Sequence, residues 1–148
     1  MNNYTTIEQS KKLIELGFDI NTADAVYIKH CTPDNPKFRF DDDVAPMLLK
    51  DGKEISDVAI EPEYLLPCWT AGRLFELLPT IEERNPICCR IIGTNEYHVL
   101  YNGYAGVPKT DTMDFASKWD EDHTSLIGSI YCMMIYLLEN GLMKKSSE

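Results

Sequence analysis

The sequence predicts an α+β fold in which a small antiparallel β-meander packs against about three helices. Three observations predict it. Apolar residues recur at helical spacing near both ends of the chain and once in the middle. Runs rich in β-branched and aromatic residues at 87–92 and 97–101 are punctuated by turn residues. The 148 residues, 44% hydrophobic and 26% charged, match one ordinary globular domain in size and composition. A single domain over residues 1–148 is therefore expected, large enough to bury roughly 68–70% of its unfolded surface.

The first helix starts at a capping box, either Thr5 with Glu8 or Thr6 with Gln9. Ile7, Leu13, Ile14 and Leu16 supply its core-facing stripe, and Gly17 its left-handed stop. Asn21-Thr22-Ala23-Asp24 then reads as a turn and Ala25 to Ile28 as a strand. Residues 32–63 form an irregular acidic stretch. Thr32-Pro33-Asp34-Asn35-Pro36 interrupts it, Lys37 to Phe40 makes a short strand, and Asp51-Gly52 signals a turn. Such a length without periodicity marks an adaptable, functional loop.

The second helix follows Pro67-Cys68-Trp69, with Thr70 as N-cap, Leu74, Phe75, Leu77 and Leu78 as its apolar face, and Pro79 as its end. Strands at Ile87–Ile92 and Tyr97–Tyr101 flank a turn at Gly93-Thr94-Asn95. Asn102-Gly103 is a type I′ hairpin signal, so Tyr104 to Val107 should pair back as a third strand. The last helix begins near Asp122 or Thr124, runs through Leu137 and Leu138, and stops at Asn140-Gly141. Apolar residues nearly surround it, which predicts burial on more than one side. Residues 144–148 read as a frayed tail.

Charge narrows the functional classes. The net charge is −10, with nine acids against four bases in residues 34–63 and five against one in residues 110–123. Nucleic acid and anionic membranes require a basic patch, and none is visible beyond Lys144-Lys145. The most apolar stretch, Leu126 to Leu138, spans 13 residues, short of the ~20 a membrane helix needs. The polar start Met1-Asn2-Asn3-Tyr4 lacks the apolar core of a secretory signal. Five irregularly spaced cysteines suit a reducing compartment, so the cytoplasm is expected.

No specific catalytic, cofactor or metal-binding motif is present, and no cofactor is expected. His30-Cys31 lacks the clustered partners of a metal site and reads as a strand-end pair. Cys68, just before a helix, is the best nucleophile candidate, with His98 or His123 as base and Asp120 or Asp122 to orient it. The competing reading is a cysteine packed beneath a helix start. Asp41-Asp42-Asp43 lacks the ligand alternation of a calcium loop and reads as a solvated charge run. Together with Trp69, Tyr101 and Tyr104, these aspartates form a candidate interaction surface, because aromatic residues are enriched where proteins bind proteins. The competing reading places the aromatics inside, packing the helices.

Tyr4-Thr5-Thr6-Ile7-Glu8-Gln9-Ser10-Lys11-Lys12-Leu13, Leu66-Pro67-Cys68-Trp69 and Leu137-Leu138-Glu139-Asn140-Gly141 resemble an uncharacterised family of small proteins of gut bacteria. That family is often encoded in prophages or other mobile elements. Residues 31–63 lie outside the resemblance, which implies an accessory gene and carries over no functional residue.

The leading expectation is a non-catalytic protein that offers an acidic face to a basic protein partner, a charge pattern that can imitate that of DNA, with self-association open. The alternative is a small cysteine-dependent enzyme using Cys68.

Overall fold

The computed structural model describes residues 3–81, 83–90, 97–101 and 125–143. Expectations for the turns at 93–95 and 102–103, the strand at 104–107, the acidic run 110–123 and the tail 144–148 lie outside the described residues.

Helix α1 (Ile7–Glu15) is capped by Thr6. The Gln9 amide donates to Thr6 Oγ1 at 3.1 Å, and the Thr6 amide donates to Gln9 Oε1 at 3.0 Å. The second of the two possible boxes forms because Thr5 is committed elsewhere. Thr5 is buried, its hydroxyl 2.8 Å from that of Ser10, and it accepts the Trp69 amide at 3.1 Å. Gly17 closes the helix at φ 90°, and the Phe18 amide reaches back to the Leu13 carbonyl.

Strand β1 (Ala25–Ile28) follows, then β2 (His30–Thr32), β3 (Asn35–Arg39) and β4 (Met47–Leu48). Strand β5 (Leu65–Cys68) leads into helix α2 (Ala71–Glu76). Strands β6 (Pro86–Arg90) and β7 (Tyr97–Tyr101) precede helix α3 (Leu126–Glu139). Among the described residues, three α-helices and antiparallel sheets make this an α+β fold, as the sequence predicts. Among the described residues the strands form three sheets: β4-β1-β5, the β2–β3 hairpin, and the β6–β7 pair.

The sequence predicts no strand at β2, β4 or β5, and β5 is hidden because Pro67 reads as a strand breaker. Val26 pairs with Pro67 across β1 and β5, and the Lys29 amide donates to the Tyr64 carbonyl at 2.8 Å. That bond sets the alternation along the ladder. Pro67 falls where the backbone nitrogen points away from β1, so its missing N–H costs no bond in this ladder. Beyond β5, the N-terminal segment adds on through the Thr5 amide to the Trp69 carbonyl and the Ala71 amide to the Asn3 carbonyl.

Thr70 caps α2, its side chain accepting the Arg73 amide, as its position in the sequence suggests. Ser125 caps α3 and accepts the Gly128 amide at 2.9 Å. The helix therefore starts at Leu126, just past Asp122 and Thr124, near which the sequence places its start. It ends at Asn140 with Gly141 at φ 67°. Ile130, Met133, Met134, Leu137 and Leu138 of α3 are buried with Leu13, Trp69, Leu74, Val99 and Tyr101 in the main core. The Ser129 hydroxyl donates to the Tyr97 carbonyl at 2.6 Å, fastening α3 to β7. Among the described residues, no helix is long and apolar enough to cross a membrane.

Candidate functional site

Cys68 ends β5 opposite Ala25 and is fully buried in a small cluster with Ala25, Tyr27 and Leu66. Burial pushes its thiol pKa well up, and the nearby Asp24 carboxylate pushes it further. Asp24 is fixed in place: its Oδ1 accepts the Thr70 amide at 2.8 Å and its Oδ2 the Thr70 hydroxyl at 2.5 Å. An acid thus stands where a catalytic thiolate needs a cation or open helix amides. His98 is buried on β7, in a different sheet, and His123 lies outside the described residues. The structure provides Cys68 neither the access nor the electrostatics of a nucleophile, and the packed-cysteine reading describes it.

The expected aromatic surface is also corrected. Trp69 is fully buried, its indole N–H donating to Thr22 Oγ1 at 3.0 Å and its ring tilted against Phe18. Tyr101 is 1% exposed, its hydroxyl donating to the Pro79 carbonyl at 2.8 Å. Both rings had a polar handle to satisfy and found partners inside. Tyr104 lies outside the described residues.

The three aspartates are surface groups, each with a different setting. The Asp42 carboxylate accepts the Ile7 amide at 3.1 Å and so covers a free amide of the first turn of α1. Asp41 Oδ1 accepts the Asp43 amide at 2.9 Å, closing a local turn. Asp41 Oδ2 stands 3.8 Å from an Arg39 guanidinium nitrogen and 4.0 Å from His30 Nε2. Asp43 is exposed. Asp41 and His30 line a hollow of about 240 Å³ with Tyr27, Ile28, Val44, Ala45 and Met47.

Four residues of this hollow, Asp41, Val44, Ala45 and Met47, come from the segment 31–63. No residue from 31 to 63 is buried. Yet Phe38 is 56% exposed, Leu48 65%, and Val44, Met47 and Ile60 are exposed as well. Phe38 falls in the short strand expected at Lys37 to Phe40, whereas Val44, Met47, Leu48 and Ile60 follow neither a helical nor a strand period in the sequence. Their signal was the absence of any core face in a segment that still carries large apolar groups.

Two larger concavities gather no single chemistry. A cleft of about 550 Å³ beside α2 mixes Asp24, Lys50, Lys53, Arg73 and Glu76, and its Arg73 Nε already donates to the Thr22 carbonyl. A groove of about 660 Å³ between α1 and α3 mixes Glu8, Lys11, Lys12, Glu15 and Glu139. Among the described residues, no group of three or more His, Cys, Asp or Glu side chains could hold a metal ion.

Comparison with protein-family models, curated proteins and solved structures finds no match. The functional reading therefore rests on this chain's own geometry.

Proposed function

We propose that this protein is a non-catalytic binding protein that docks onto a basic protein partner through residues 31–63. The observation that carries the reading is the exposure of Phe38, Val44, Met47, Leu48 and Ile60 in a segment with no buried residue. Exposed apolar groups rimmed by polar ones are a usual mark of an interaction surface. The same segment carries nine acids against four bases, and that excess steers a partner of opposite charge. A cytoplasmic setting and an origin as a mobile-element accessory gene belong to the same proposal. They are supported by cysteine usage and by the sequence resemblance alone.

Docking is through side chains, not strand addition. The Leu49 amide donates to the Asp24 carbonyl at 2.9 Å, so the backbones of residues 46, 48 and 50 face away from β1. Pro46 has no N–H to offer there, and Lys50 places a charge beside it. Both features discourage a partner strand.

The test replaces Val44, Met47 and Leu48 with Ser, Gln and Gln. All three are exposed, so the fold should persist, with an unchanged circular dichroism spectrum and melting temperature. The wild type immobilised in lysate should retain a basic protein at low ionic strength. The triple variant should lose it, as should the wild type once added salt screens the charges. Equal capture by both chains contradicts the reading.

A further inference from the structure

We infer that the hollow beside β1 receives one lysine or arginine side chain of the partner and that Asp41 is its counter-ion. The inference rests on the reading of residues 31–63 as the docking segment and names the contact chemistry within it. Ile28, Val44, Ala45 and Met47 give the 240 Å³ hollow a mainly aliphatic wall, which suits the methylene stem of a long cationic side chain. The charged end has a receptor already placed. Asp41 Oδ1 is engaged by the Asp43 amide, whereas Oδ2 has the Arg39 guanidinium at 3.8 Å and His30 Nε2 at 4.0 Å, both beyond hydrogen-bonding distance.

Its present cation is loosely held. The Arg39 side chain is 54% exposed, and an exposed pair at that separation contributes little. An incoming guanidinium or ammonium can therefore take its place. His30 Nδ1, on the ring whose Nε2 faces Asp41, is buried with no hydrogen-bond partner. An apolar side chain filling the hollow would cover the carboxylate without satisfying it, which is costly. An anion would meet the Asp41 carboxylate, with Asp42 and Asp43 next to it in the chain. A cation on an aliphatic stem is the occupant that satisfies both the wall and the carboxylate.

The test follows methyl resonances of the full chain during titration with N-acetyl-arginine methylamide and N-acetyl-lysine methylamide, with N-acetyl-norleucine methylamide as the neutral control. The cationic probes should shift the Val44, Ala45 and Met47 methyls saturably, with dissociation constants on the order of millimolar for so small a ligand. The norleucine probe should not. Asp41→Asn keeps an oxygen for the Asp43 amide and should weaken binding about tenfold. Arg39→Gln removes the competitor and should strengthen it about two- to threefold. Binding of norleucine as tight as that of lysine, no saturable shift with either cation, or indifference to Asp41→Asn would each overturn the assignment. If that happens while the Val44, Met47 and Leu48 variant still loses its protein partner, the docking reading stands and only the cation receptor falls.

Discussion

Replacing Thr5 by Val tests whether the N-terminal segment is locked to the central sheet by a buried polar node. The two side chains have nearly the same shape, so no cavity forms. Only the hydroxyl is lost. Thr5 and Ser10 are both fully buried, their hydroxyls 2.8 Å apart, and the Trp69 amide donates to Thr5 Oγ1 at 3.1 Å. In the variant the Trp69 amide faces a methyl group. A buried donor left without an acceptor costs about 1–3 kcal/mol. The Ser10 hydroxyl can turn to a carbonyl of its own helix, so its loss is partial. The expected destabilisation is about 2–3 kcal/mol, a urea midpoint lower by about 1 M for a domain of this size. Thr5→Ser is the control: it keeps the hydroxyl, removes one methyl and should cost about 1 kcal/mol. Urea unfolding followed by far-ultraviolet circular dichroism reads both. If Thr5→Val proves no more destabilising than Thr5→Ser, the hydroxyl is not the fastening and the argument fails.

Leu137 and Leu138 are 0% and 1% exposed, and truncating either to Ala should cost about 2–5 kcal/mol; a loss below about 0.5 kcal/mol at both would place α3 outside the core. At neutral pH, iodoacetamide should label exposed Cys31 quickly and buried Cys68 only on unfolding. Native labelling of Cys68 at the rate of an unfolded control would restore its candidacy as a nucleophile. Burial raises the Tyr27 and Tyr101 phenol pKa values in the folded chain, so both should stay protonated there while the unfolded chain ionises near ~10. The stability they contribute is complete below that pH and is lost above it. Denaturation midpoints should fall as pH passes about 10, and native phenolate absorbance that already includes both tyrosines there would contradict the assignment.

Local chemistry was legible wherever a residue acts on its own neighbours. Thr70 as an N-cap, Gly17 and Gly141 as helix stops, Gly52 in its turn and the strand at Ala25–Ile28 all follow from short-range backbone and hydrogen-bonding preferences. Long-range pairing was not. The strand at Leu65–Cys68 hid behind Pro67, which is tolerated only because β1 approaches it from the side that needs no N–H. Choosing between Thr5 and Thr6 as the cap likewise required knowing that Trp69, far along the chain, claims Thr5. Of the candidate surface residues, Asp41 lines a hollow, whereas Trp69 and Tyr101 are buried in the core, because a large apolar ring gains more from burial than a surface site offers it. The exposed set at Phe38, Val44, Met47 and Leu48 is a property of the whole fold. It is defined by what the core leaves uncovered.

The central claim is that the partner covers residues 31–63, and hydroxyl-radical footprinting of the captured complex tests it most directly. Phe38, Met47 and Leu48 are exposed in the free chain, as are Ile20 and Leu142 elsewhere on the surface. On binding, the first three should be oxidised at least about fivefold more slowly, the behaviour of groups at the dry centre of an interface. Ile20 and Leu142 should react as before. Unchanged rates at Phe38, Met47 and Leu48, with protection at Ile20 or Leu142, would contradict the account.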